Sequence, residues 1–200
     1  MTTELTTPTK RRPGRPRDPR IDEAVLRATR ELLGDLGYQR LTYDAVAQQA
    51  GVHRPAVYRR WPTKLHLVLD ACKDAVETSL AFPESGGFEE NLRFMVASTV
   101  NLYSLDYVRA GLAGALAEVA ADQFMVEEFA KSYATAPARR FIEIVADHVA
   151  RGEIRPVDGP ILLTTITGTV FMWMTSLGGA AGTTNFVDQL TDLLMAACRP

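Results

Sequence analysis

The stretch LTYDAVAQQAGVHRPAVYRRWPTK, Leu41 to Lys64, decides how the chain is read. Thr42 is placed to cap a short helix whose Ala45, Val46 and Gln49 are too few for it to stand alone, and Gly51 ends it. After a tight turn at Gly51–Val52, a second short helix starts at His53 or a neighbour, with Pro55 tolerated in its first turn. Val57 and Trp61, four apart, give it an inward apolar face, while Arg54, Arg59 and Arg60 make another side basic. Pro62 stops it. Such a helix is too short to be stable alone, so it must be held by its apolar side while its basic side meets something negative.

Working outward, DPRIDEAVLRATRELLGDLG reads as a longer first helix. Asp18 caps it, Pro19 suits its first position, Gly37 suits its exit, and Ile21, Val25, Ala28, Leu32 and Leu36 form one stripe. Two short helices joined by a glycine turn and docked on a longer one make a helix-turn-helix, whose second helix enters the DNA major groove. His53, Arg54, Pro55 and Ala56 then meet base edges, and Arg54 is able to read guanine O6 and N7 together. Tyr58, Arg59 and Arg60 are placed for phosphates, as are Thr42 with its neighbour Tyr43 and Lys64, all at helix starts.

Residues from about 20 to 66 resemble the N-terminal domain of the TetR family of bacterial transcriptional regulators. The resemblance rests on capping Thr42, the turn residues Ala47, Ala50, Gly51 and Val52, the pair Tyr58 and Trp61, and Pro62 with Lys64. Pro55 departs from it, standing where the family often has a small or lysine-like polar residue. The resemblance implies a dimeric repressor on a palindromic operator of double-stranded DNA, released by a small-molecule effector. It also implies a four-helix dimer interface built from the last two helices of each subunit.

The net charge of −2 hides an asymmetry. Residues 1–66 hold 13 Lys/Arg against 7 Asp/Glu, and residues 67–200 hold 9 against 17. A basic head on an acidic body points to a polyanion partner for the head alone. Residues 1–17 are polar and proline-rich, and are expected to be a disordered basic arm. Its RRPGRPR segment, with Arg15 and Arg17, has the composition of arms that enter narrow minor grooves.

The remainder reads as helices, with no period-two alternation of a strand. The expected fold is all-α, about nine helices. Residues 18–66 form the DNA-binding domain and 67–200 a helical regulatory domain. FMVEEFAKSYATAPARRFIEIVADHVARG reads as one long helix kinked at Pro137, and DYVRAGLAGALAEVAAD as an alanine-rich helix suited to close packing. Between Gly159 and Val187 there is no charge. Its apolar core, Ile161–Leu177, has 17 residues with six Ser/Thr, at the short limit for a membrane span, so no membrane is expected as a partner. A helix apolar on several sides needs partners on several sides. Ile166, Val170, Trp173 and Leu177 are assigned to a homodimer interface, together with Phe186, Leu190, Leu193 and Leu194 of the last helix.

A pocket for a small, largely apolar or aromatic ligand is expected from Phe94, Met95, Tyr103 and Tyr107, with Phe124, Phe129 and Tyr133, and with Met172 and Trp173. Cys72 and Cys198 make neither a disulfide framework nor a zinc site and suit a reducing cytoplasm. His53, His66 and His148 stand alone rather than at metal spacing, and no hydrolase, zincin or phosphate-loop pattern is present. Neither metal nor cofactor is expected, and no enzyme. The rival reading is a DNA-binding architectural protein without ligand control. Such a protein would bind with weak sequence preference and a steep salt slope.

Overall fold

The structure, a computed structural model, describes residues 18–80, 82, 86–122, 124–133, 135–177, 179 and 183–200. Among these there are ten helices and no strand. Helix α1 (Pro19–Arg40) is capped by the Asp18 carboxylate, which accepts from the Arg20 amide at 3.1 Å. Val25, Ala28, Leu32 and Leu33 are buried along it. Gly37, at φ 74°, breaks its regular winding three residues before its end, where the sequence places the exit. Helices α2 (Tyr43–Gln49) and α3 (Arg54–Tyr58) follow, separated by Gly51 at φ 66°, a conformation that glycine adopts without strain. The Val52 amide closes the turn on the Ala47 carbonyl at 2.9 Å. The helix at α3 ends before Pro62: the amides of Arg60 and Trp61 both fold back onto the Val57 carbonyl.

Thr63 caps α4 (Lys64–Ser79), its hydroxyl accepting from the His66 amide at 3.2 Å. Helix α5 (Phe88–Ser104) runs through the centre of the molecule, and Leu92, Met95, Val96, Thr99, Leu102 and Tyr103 are all buried on it. The alanine-rich α6 (Asp106–Ala121) packs closely against α1 and α4, as its composition suggests. A Cβ at Gly114 would overlap the Tyr38 ring, and one at Gly111 would lie 2.9 Å from a Val68 methyl. Tyr38 completes the tie by donating its hydroxyl to Glu118 at 2.5 Å.

The long helix expected across Pro137 is two helices, α7 (Phe124–Tyr133) and α8 (Ala136–Ala150), which raises the count from nine to ten. Thr135 caps α8, and Pro137 sits in its first turn, where its missing N–H costs nothing. The proline therefore starts a helix instead of kinking one. Helices α9 (Gly159–Ser176) and α10 (Thr183–Cys198) both pack on α5.

Candidate functional site: the helix-turn-helix and the groove along α4

Residues 41 to 64 form a small assembly held from within. Val57 and Trp61 are buried, and the Trp61 indole N–H donates to Asp70 of α4 at 2.9 Å. Tyr43 stacks on Tyr58 with centroids 4.0 Å apart, and its hydroxyl donates to the Trp61 carbonyl at 2.9 Å. Burial, then the neighbouring Tyr58, push the Tyr43 phenol up to about 12. These ties join α2 to α3 and α3 to α4.

The basic residues divide into two groups. His53, Arg54, Pro55 and Arg59 are exposed, Tyr58 is largely so, and Ala56 is half-buried. The Arg54 guanidinium meets the Asp44 carboxylate at 3.1 Å and donates to the Tyr58 hydroxyl at 3.2 Å. It thus stands poised at the open end of α3 by two neighbours. Its own protonation is reinforced by Tyr58 first and Asp44 second.

Arg60 turns inward. Its side chain is largely covered, it pairs with Asp22 of α1, and it donates to the Ala56 carbonyl at 3.1 Å. Lys64 also turns back, its ammonium lying 4.2 Å from the Tyr38 ring centroid and 3.3 Å from the Tyr38 carbonyl. In the DNA-free chain both side chains are engaged within the fold, Arg60 with α1 and Lys64 with the exit of α1. Thr42 is exposed, with its oxygen engaged by the Ala45 amide at 3.2 Å. Arg15 and Arg17 lie outside the described residues. The expectations passed over Asp22 and Asp44. The signal for Asp44 was its place in the first turn of a helix, where an acid suits the dipole.

A cavity of about 750 Å³ lies between the end of the helix-turn-helix, at Arg60, Trp61, Pro62 and His66, and the helices that follow it. Met95 and Tyr103 line it as expected, beside Thr99, Leu102, Leu112 and Leu163. Other expected members stand elsewhere. Phe94 packs on Phe82, centroids 5.0 Å apart, and Tyr107 and Phe129 do not line the cavity. Met172 is exposed, and Trp173 stacks on Phe186 at 4.8 Å. The side chains of Phe124 and Tyr133 lie outside the description. What the expectations missed is α4: His66, Leu69, Asp70, Lys73, Val76 and Glu77 form one wall. Cys72 also touches the cavity, and burial pushes its thiol up to about 12, so it remains a protonated thiol.

The stripe assigned to a dimer interface is largely intramolecular. Ile166 and Val170 are 0% exposed, and Leu190 and Leu194 are buried as well. The apolar residues facing outward are Ile161 (67% exposed), Met172 (54%) and Leu177 (63%) on and after α9, and Leu193 (67%) on α10. With no charge on α9 to mark a wet side, spacing could not tell its two apolar faces apart; packing on α5 decides it. Among the described residues, no three His, Cys, Asp or Glu gather as metal ligands, and no helix is long and apolar enough to cross a membrane.

A helix-turn-helix on an all-helical body defines a class of bacterial regulatory protein. The comparisons agree with it. Residues 25–71 match the family model of bacterial regulatory proteins, tetR family, and residues 82–194 that of the tetracyclin repressor-like C-terminal domain. The chain belongs to the TetR family. It is 42% identical over 77 residues to the uncharacterized HTH-type transcriptional regulator Rv1556 of Mycobacterium tuberculosis, a match covering 38% of each chain. It is 25% identical over 166 residues to the uncharacterized HTH-type transcriptional regulator YdeS of Bacillus subtilis, covering 79% of this chain and 80% of that one. Two solved structures share the fold. FadR from Bacillus subtilis in complex with stearoyl-CoA has a TM-score of 0.59 at 19% identity, over 86% of this chain and 96% of that one. The flavonoid-responsive regulator FrrA has 0.61 at 21%, over 92% and 99%.

Proposed function

We propose that this chain is a sequence-specific transcriptional regulator, a homodimeric repressor that leaves a palindromic operator when a small ligand enters the second half. The observation that carries the reading is Arg54. It is an exposed guanidinium at the first position of α3, steadied by Asp44 and Tyr58 while Val57 and Trp61 anchor the same helix from behind. In this reading residues 18–66 are the DNA-binding unit and 67–200 the regulatory one. His53, Arg54, Pro55 and Ala56 meet bases, and Thr42, Tyr43, Tyr58 and Arg59 meet phosphates. The arm carrying Arg15 and Arg17 adds charge. Reading two half-sites about 34–36 Å apart requires two copies. The outward apolar faces of α9 and α10, with Ile161, Met172 and Leu193, are the surfaces we assign to that pairing.

One named neighbour is in complex with stearoyl-CoA and the other is flavonoid-responsive, so the shared fold does not name a ligand. The buried floor of the cavity supports one with a large apolar part. The test is fluorescence anisotropy of the full chain on the DNA upstream of its own gene, against a shuffled duplex at near-physiological salt. A strong preference for the native duplex is expected. Equal, salt-fragile binding to both would defeat the reading in favour of an architectural protein.

A further inference from the structure

Arg54 stands where a helix has least use for it. It is the first residue of α3, and a cation at a helix start faces unpaired amide N–H groups and the positive end of the dipole. Its ion pair with Asp44 does not offset this in stability. The Arg54 side chain is 50% exposed and that of Asp44 68%, and a pair so open to water adds little to a fold.

The pair is nevertheless built on a fixed base. Tyr43 stacks on Tyr58 and donates to the Trp61 carbonyl, and Asp44, the next residue of α2, meets Arg54 at 3.1 Å. Tyr58 in turn accepts from Arg54 at 3.2 Å, with the guanidinium carbon 5.1 Å from the ring centroid. Two neighbouring residues of one helix thus set the register of the next helix and the direction of its first side chain. Asp44 is met by one terminal nitrogen of the guanidinium and Tyr58 by the other. Each terminal nitrogen keeps a second N–H, and those two suffice for O6 and N7 of a guanine.

An arginine on a flexible stem beside DNA has two kinds of acceptor in reach: base edges, which carry sequence, and phosphates, which do not. Leaving Asp44 for a phosphate strands a carboxylate beside a polyanion. Meeting a guanine in place keeps the pair, and the exclusion of water on docking strengthens it. We propose that Asp44 is a specificity-determining residue, which holds Arg54 toward guanine and disfavours its move to phosphate. Asp44 thereby lowers affinity for DNA at large and sharpens the choice of one base pair in each half-site. This rests on the sequence-specific reading above and adds a residue to it. Asp44 acts through Arg54, as a positioning residue.

The test is selection from duplexes with a randomised centre, then anisotropy on the enriched duplex and on a shuffled one at near-physiological salt. The full-length parent is compared with Arg54→Ala, Asp44→Asn, Asp44→Glu and the double variant Asp44→Asn, Arg54→Ala. Arg54→Ala should erase a guanine preference at one position of each half-site. At that position Asp44→Asn should relax the preference at least about fivefold. Its affinity for the shuffled duplex should rise about twofold or more, with a salt slope steeper by about one. Asp44→Glu keeps the charge and should restore most of both effects. In the Arg54→Ala background, Asp44→Asn should alter no base preference, an outcome that a general loosening of α2 would not give.

If Asp44→Asn tightens both duplexes alike with the guanine preference intact, Asp44 is only a repelling charge and the proposal falls. It falls also if preference relaxes equally at every position. A parent that enriches a sequence with no Arg54-dependent position defeats this inference and leaves the regulator reading standing. A parent that enriches no sequence defeats the regulator reading itself.

Discussion

The helix-turn-helix and α9 are held by opposite means. Helix α3 has five residues and is fastened by single, nameable ties: Val57 and Trp61 in the core, Arg60 to Asp22, Tyr43 to the Trp61 carbonyl. Helix α9 has eighteen residues, no charge, and rests on broad apolar contact along one side. The difference teaches that charge near a short helix is as apt to be scaffolding as recognition. It also teaches that an apolar face on a long helix is as apt to be core as interface. Arg60 and Lys64 are tied to α1 and its exit beside the exposed Arg54 and Arg59; Ile166 and Val170 are core beside the exposed Ile161 and Met172.

Five substitutions and one change of pH test that contrast. The largest effect belongs to Gly114→Ala, which drives a methyl into the Tyr38 ring where α6 carries α1. We expect a loss of about 3 kcal/mol in stability from urea unfolding. A neutral substitution would mean that α1 is not seated on α6 as described. Next comes the pair Arg54→Ala and Arg60→Ala. The first should cost roughly 1–3 kcal/mol in operator affinity and leave the melting temperature alone. The second should remove about 2 kcal/mol of stability and leave the salt slope of DNA binding unchanged. If Arg60→Ala flattens that slope instead, Arg60 is a phosphate contact and the contrast within α3 dissolves.

On the α9 side, Leu193→Glu should weaken self-association roughly tenfold or more by sedimentation velocity, while circular dichroism melts stay close to the parent. Ile166→Ala should do the reverse, since that side chain is wholly inside its own subunit. The smallest effect is alkaline. Burial raises Cys72 from 9.0 to about 12, and burial with Tyr58 raises Tyr43 from 10.0 to about 12; Tyr38 is raised as well, by burial first and Glu118 second. All three are neutral in the folded state. Their contribution is complete below about pH 9 and is lost as pH rises from there to about 12, the buried Cys72 thiol accounting for about 1 kcal/mol of it at pH 10. Urea midpoints at pH 8 and pH 10 measure it, and a higher midpoint at pH 10 would contradict the buried thiol.

What was legible in the sequence follows from the same contrast. Asp18, Thr42, Gly51 and Thr63 act on the backbone within a few residues of themselves, so the helices they start and stop could be placed from the chain alone. Pro137 misled only in kind, because a proline that starts a helix and one that kinks it look alike without the neighbouring cap at Thr135. The direction of Arg60 was not legible, since it depends on Asp22, 38 residues away on another helix. Nor was the groove wall. Lys73, Lys131 and Arg139 come from three helices, and no spacing along one of them announces that they line one cavity.

The close seat of α6 on α1 and α4 has a mechanical consequence. Side chains absorb small displacements by turning about their own bonds. At Gly111 and Gly114 there is no side chain to turn, and the α6 backbone bears directly on Val68 and Tyr38. A shift of α6 therefore meets the Tyr38 ring near the exit of α1 and the Val68 side chain of α4 at once, like meshed teeth. The helix that forms one wall of the groove and the helix that carries the DNA-facing end are geared to the same wheel.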